Sequence, residues 1–324
     1  MGINASPTCV LQYGEEGDCI GELIGPEFAG MRAMFTMMNN ARLNVGLQGV
    51  QIAEAATQKA LYFAQERVQS ARAGSSGKEP VAIIAHPDVR RMLLRMKAAT
   101  QAVRAIVYYA ASQVDYANLG IEGAREMVDL MTPLAKGYGT DIGTEVANLG
   151  IQIHGGMGYV EETGAAQYYR DIRIAAIYEG TNGIQAADLV GRKLGMAGGD
   201  VIRNHIGQII ADCAEETNLI DLANICHHVT DHYLSEASVD DRLSGSYPYM
   251  TMMSVMTCGW LMAKQYEAAK TELSAGGDPK FLKSKMASCR YYLDVMVPEA
   301  IGLKSAAMVG AELLYALSDE ELAS

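Results

Sequence analysis

The chain has 324 residues, 49% of them hydrophobic and 20% charged, a balance that supports a folded core and excludes global disorder. Its formal charge of −12 argues against nucleic acid as a partner, because phosphate backbones are met with a basic surface. Cys9, Cys19, Cys213, Cys226, Cys258 and Cys289 are scattered without a Cys-x-x-Cys pair, so neither a metal site nor a disulfide framework is expected. Reduced, buried thiols suit a cytoplasmic protein. No signal peptide is expected, and no apolar run reaches the roughly 18 residues of a membrane span.

In chain order, Pro7–Tyr13 alternates like a strand, and Ile20–Ile24 offers a second short one before Gly25-Pro26. Two such strands cannot bury a sheet face, so either they complete a sheet supplied by another polypeptide or the chain began earlier, and the sequence reads as truncated here. From Glu27 to about Arg72 the period is helical, with Met31, Met34, Phe35 and Met38 expected in the core. Ala73–Pro80 is a loop, and Pro87 opens a second helix. Further helical patterns cover about 121–137 and 140–152, then Gly164–Ala175 and Gly183–Leu194. Gly195–Gly199 is small, flexible and uncharged, the best internal boundary. Beyond it, helical patterns cover 200–237, 247–272 and 279–317.

Two segments carry possible chemistry. Glu179 follows Ile174-Ala175-Ala176-Ile177-Tyr178 and precedes Gly180. A carboxylate among apolar neighbours has its charged form disfavoured, which lifts its pKa toward the range of a general base. On residue types alone, a surface glutamate capping the next helix is the commoner explanation. Gln152-Ile153-His154-Gly155-Gly156 is a glycine-rich break of the kind that brings backbone N–H groups to a phosphate, or a plain interhelical turn. Arg42 is a single cation on an apolar helix and needs a partner, a ligand or solvent. Arg170-Asp171-Ile172-Arg173 reads as an ion-pair pattern holding its helix.

The run Arg170–Gln185, preceded by Gln152–Tyr159, resembles the acyl-CoA dehydrogenase family in residues, order and spacing. Residues 200 onward resemble the extra helical domain of a long bacterial subgroup with an acetyl-CoA-dehydrogenase-like C-terminal extension. The resemblance implies a mainly α fold: a four-helix bundle at 28–195, an additional helical domain at 196–324, and a short β remnant at 1–27. It implies FAD-dependent α,β-dehydrogenation of an acyl-CoA, with Glu179 as the base and hydride passing to flavin N5. The Glu179 N–H then bonds the thioester carbonyl.

By the same resemblance Asn39, Arg42, Tyr178 and Gly180 border the substrate, and Thr181 contacts the flavin. Arg67, Gln152, Gly155 and Gly156 hold the adenosine and pyrophosphate of a neighbouring subunit's FAD. The family often has Gln where Gly183 stands, so one cofactor contact differs. Implied partners are an electron-transferring flavoprotein and further copies of the chain, as a homodimer or tetramer. Without the domains that cradle the flavin ring, this portion alone is expected to be inactive. The other readings are a non-catalytic helical subunit completing a partner's FAD site, and an acyl-CoA oxidase.

Overall fold

Residues 30–66 form one helix of 37 residues, α1 (Gly30–Glu66), with no proline to break it and apolar residues recurring every three or four positions. The computed structural model describes residues 1–324. After α1, Val68 pairs with Ala82 in an isolated antiparallel bridge that closes the loop. Helix α2 (Pro87–Asn118) runs back, starting on Pro87, whose missing N–H costs nothing in a first turn. Helix α3 (Ala124–His154) then runs parallel to α1: Gly46 meets Ala135 at one end, and Phe63 stacks on His154 at the other.

The two helices expected at 121–137 and 140–152 are therefore one. Glycines 137, 139, 143 and 150 lower its intrinsic propensity, but tertiary packing overrides this. A Cβ on Gly49 would lie 2.1 Å from the Gly139 carbonyl oxygen, and one on Gly143 would lie 2.9 Å from the Gly49 Cα. The glycines let the two backbones touch, which fixes the positions of the side chains at their rim.

The chain continues through α4 (Gly156–Tyr159), α5 (Ala165–Ile172), a 3-10 turn at Arg173–Ala176, and α6 (Asn182–Asp188), which runs into a π-helical turn at Leu189–Lys193. Past the turn Met196–Gly199, where Ala197 and Gly198 have φ of 47° and 69°, come α7 (Asp200–Asp212) and α8 (Thr217–Ser235). The single pattern at 200–237 is split because Asp212 accepts from Trp260 Nε1 at 2.9 Å while Glu216 pairs with Arg290 at 2.7 Å. Helices α9 (Val239–Ser244), α10 (Ser246–Ser274), α11 (Pro279–Tyr291) and α12 (Val297–Ile301) follow. A π turn at Tyr292–Met296 carries the helix past Pro298, which cannot donate within it, and the pattern expected to 317 ends at Ile301, before Gly302.

The hydrophobic core is one cluster of 60 buried residues, extending from Leu43 to Ala307. Helix α10 packs its buried methionines, Met250, Met252, Met253, Met256 and Met262, against α2, α3 and the later helices. The methionines of α1 behave differently: Met31 and Met37 are 64% and 65% exposed, because α1 projects beyond its neighbours there.

Neither N-terminal strand forms. Val10, Ile20 and Ile24 are 88% or more exposed, since two short segments lacking a third strand have nothing to pair with or pack on. Cys9 and Cys19 lie in this segment and are exposed, whereas the other four cysteines are buried as expected. No helix is long and apolar enough to cross a membrane.

Candidate active site

The glycine seam between α1 and α3 brings two cations together. Arg42 on α1 is 7% exposed and Lys136 on α3 is entirely buried. Both point at the loop between the Arg173–Ala176 turn and α6. Arg42 Nε donates to the Glu179 carbonyl at 3.3 Å, and Lys136 Nζ donates to the Gly180 carbonyl at 2.8 Å. Gln185 Nε2 reaches the same two carbonyls from α6 at 3.4 and 3.5 Å.

Pinning these carbonyls sets the backbone. Glu179 sits at φ 57° and Gly180 at φ 85°, both left-handed. For a residue with a Cβ this region costs on the order of 1–2 kcal/mol, and it persists where surrounding contacts over-determine it. With the carbonyls turned toward the cations, the N–H groups of Glu179 and Gly180 find no acceptor within the chain. One carboxylate oxygen of Glu179, Oε2, is buried and has no hydrogen-bond partner. Such an orphan is costly in a fold and marks a group held for something other than stability. Capping does not explain it. Thr181 is the residue that caps α6, its hydroxyl accepting from the Ile184 N–H at 3.2 Å.

Behind the turn lies a polar network. Lys136 Nζ also donates to Asn182 Oδ1 at 2.8 Å, and Asn182 Nδ2 donates to Thr140 Oγ1 at 2.9 Å and to Asp141 Oδ1 at 2.8 Å. Asp141 Oδ2 accepts from the Tyr247 hydroxyl of α10 at 2.6 Å. Burial pushes the Lys136 ammonium down to about 8, opposed by the charges of Asp141 and Glu179 and assisted by that of Arg42. Burial raises the Asp141 carboxyl, opposed by its bonds to Tyr247 and Asn182. Tyr247 is itself raised, by burial and by Asp141. A polar cleft of about 680 Å³ opens beside this network, lined by Asp141, Thr144, Arg173, Thr181, Asn182 and Tyr247.

The remaining sequence-selected residues divide between two places. Asn39 accepts from Arg42 at 3.5 Å, and the Tyr178 hydroxyl donates to Gln48, so both stand at the Glu179 end with Gly180 and Thr181. Arg67, Gln152, Gly155 and Gly156 are all exposed and stand at the opposite end, where Phe63 stacks on His154 at 4.5 Å. At 1.5 Å per residue, Arg42 and Arg67 are separated by about 37 Å along α1. A Cβ on Gly155 or Gly156 would meet nothing within 4 Å, so a ligand can approach the backbone there. His154 is packed, its Nδ1 2.7 Å from the Gly150 carbonyl, and burial lowers its pKa. Arg170 pairs with Glu161 at 3.6 Å, not within its own run as the ion-pair reading had it.

Lys136, Asp141, Asn182, Gln185 and Tyr247 escaped the sequence reading. One signal was present. Lys136 is the sole charge between Asp129 and Asp141, the pattern that singled out Arg42.

Residues 29–194 match the family model described as acyl-CoA dehydrogenase, C-terminal domain, and residues 204–318 match one described as acetyl-CoA dehydrogenase C-terminal like. The chain is 42% identical over 316 residues to 3-methylmercaptopropionyl-CoA dehydrogenase of Ruegeria pomeroyi, covering 92% of this chain and 53% of that protein. To a butyryl-CoA dehydrogenase of Syntrophomonas wolfei it is 33% identical over 331 residues, covering 94% and 54%. Among solved structures, Caenorhabditis elegans ACDH-11 in complex with C11-CoA superposes with a TM-score of 0.69 at 18% identity, covering 93% of this chain and 49% of that one. An acyl-CoA dehydrogenase from Bacillus anthracis complexed with FAD gives 0.65 at 19% identity, covering 90% and 51%. At those identities the structures speak to the fold alone. The chain spans about half the length of the curated relatives it matches. Since the first family model matches over half of the residues, and the sequence relatives cover nearly all of them, the chain belongs to the acyl-CoA dehydrogenase family.

Proposed function

We propose that the complete protein converts an acyl-CoA thioester to its trans-2-enoyl-CoA using FAD, with Glu179 as the base that removes the α-proton. The observation that carries this reading is the orphaned, buried Oε2 of Glu179 on a left-handed turn held by two cations. A base needs a free lone pair at a fixed position, and this oxygen offers one. The unpaired Glu179 N–H is available to a thioester carbonyl, where it would stabilise enolate-like charge as the proton leaves. Asn39, Arg42, Tyr178 and Gly180 then border the acyl thioester. A retained glutamate in this state favours a catalytic chain over a helical subunit that merely completes a partner's site.

The residues present fit FAD in two separate places. Thr181 stands exposed beside Glu179, and Arg67, Gln152, Gly155 and Gly156 form an exposed, open group at the far end of α1 and α3. The length of α1 from Arg42, beside the Glu179 turn, to Arg67, about 37 Å, supports assigning the far group to the adenosine and pyrophosphate of a second copy's cofactor. When bound, the flavin supplies the acceptor for the β-hydrogen and its electron pair. Assembly as a homodimer or tetramer and onward transfer to an electron-transferring flavoprotein belong to this reading. Oxidase chemistry differs in the electron acceptor, not in the role of Glu179.

In the complete, FAD-loaded enzyme, Glu179→Gln is expected to slow anaerobic bleaching of the flavin by acyl-CoA about 10²–10⁴-fold, the usual worth of a general base, with acyl-CoA binding nearly intact. Bleaching at the wild-type rate would contradict the assignment.

A further inference from the structure

The Glu179–Gly180 turn is connected to the C-terminal helices by an unbroken line of hydrogen bonds. The Tyr247 hydroxyl donates to Asp141 at 2.6 Å, Asp141 accepts from Asn182 at 2.8 Å, Asn182 accepts from Lys136 at 2.8 Å, and Lys136 donates to the Gly180 carbonyl at 2.8 Å. Four elements take part: α10, α3, the start of α6, and the turn itself. Tyr247 lies within the second family match, residues 204–318, whereas the other members lie within the first. We propose that Tyr247 is a positioning residue for the Glu179–Gly180 turn, acting from the C-terminal helices through Asp141, Asn182 and Lys136.

The chain of cause runs through charge. A wholly buried ammonium is tolerated where opposite charge and hydrogen-bond acceptors surround it. The negative charges acting on Lys136 are Asp141, one turn on along α3, and Glu179 on the turn, and Arg42 opposes both from α1. Burial raises the Asp141 carboxyl, and the Tyr247 and Asn182 donors, with the charges of Lys136 and Arg173, oppose that rise. Removing the Tyr247 hydroxyl takes one of those donors away. The Asp141 carboxylate then protonates more readily or turns to solvent, Asn182 loses its charged acceptor, and Lys136 loses counter-charge. The Gly180 carbonyl is then held less firmly, and the left-handed backbone at Glu179 loses a restraint. Tyr247 follows Gly245-Ser246 and precedes Pro248 in the first turn of α10, so its ring is set by a rigid backbone.

The effect on the turn stands on geometry, while the effect on turnover rests on Glu179 being the base. The test is hydrogen–deuterium exchange of the 324-residue chain, comparing wild type with Tyr247→Phe and, as a second variant, Asp141→Asn. Tyr247→Phe keeps a ring that is already 39% exposed and removes a single oxygen, so the fold is retained. Expected is up to about tenfold faster exchange in peptides covering 177–185, the scale of one hydrogen bond to a charged group, with unchanged exchange across 250–262. Unchanged exchange at 177–185 in Tyr247→Phe would overturn the proposal, whatever Asp141→Asn shows. In the complete FAD-loaded enzyme, Tyr247→Phe is expected to lower kcat several-fold with KM unchanged. A loosened turn with unaltered kcat would overturn the catalytic consequence, provided Glu179→Gln is inactive. If Glu179→Gln stays active, the base assignment fails, and the exchange result still decides whether Tyr247 holds the turn.

Discussion

At the scale of single residues, the site is built from groups that cost stability. Lys136 is the clearest of them. Burial lowers its pKa from 10.5 to about 8, so the unfolded chain binds a proton between those values that the native state has released. Stability therefore rises with pH across that window, and below about 8 the full burial penalty is in place. The shift corresponds to about 3 kcal/mol. Denaturant unfolding of wild type and Lys136→Met should show wild type gaining stability relative to the variant from pH 8 to 10.5, by up to that amount. A relative loss over the same range would mean that the ammonium is net stabilised where it sits. The lone charges at Arg42 and Lys136 are legible in the sequence as cations in apolar runs. What each touches was not legible, because both partners are backbone carbonyls more than 40 residues away.

At the scale of elements, the pairing of α1 with α3 decides where the site can be. The apolar period of both helices can be read from the sequence, and so can the break at Gly155-Gly156. The seam cannot, since Gly46, Gly49 and Gly143 look like helix breakers until the facing backbone is known. The continuity of α3 across Gly137 and Gly139 is hidden for the same reason. Gly49→Ala puts a methyl against the Gly139 carbonyl, forcing α1 and α3 apart, and overpacking of this kind typically costs about 1–3 kcal/mol or more. Thermal unfolding should register that loss. Because Arg42 and Lys136 stand beyond the seam, activity of the complete enzyme should fall further than stability alone explains. A variant of wild-type stability would show that the close approach is dispensable.

At the scale of the whole molecule, the exposed features lie at its periphery. The first 29 residues are nearly all exposed, α1 projects with Met31 and Met37 uncovered, and the Arg67–Gln152 group faces outward at the other end. If the far group serves a second copy's cofactor, Arg67→Ala should lower flavin occupancy of the assembled enzyme without changing its helical content. Visible absorbance per subunit, read beside far-ultraviolet circular dichroism, checks this, and full occupancy in the variant would refute a pyrophosphate contact. The most direct test of the site itself isolates proton removal from the electron transfer that follows it. The complete enzyme is incubated in deuterated water with an acyl-CoA analogue that ionises at C2 but cannot lose a β-hydrogen, and deuterium uptake at C2 is followed by mass spectrometry. Rapid uptake with wild type and a loss of 100-fold or more with Glu179→Gln, on the general-base scale, is the expected result. Equal uptake in the two proteins would place the base somewhere other than Glu179.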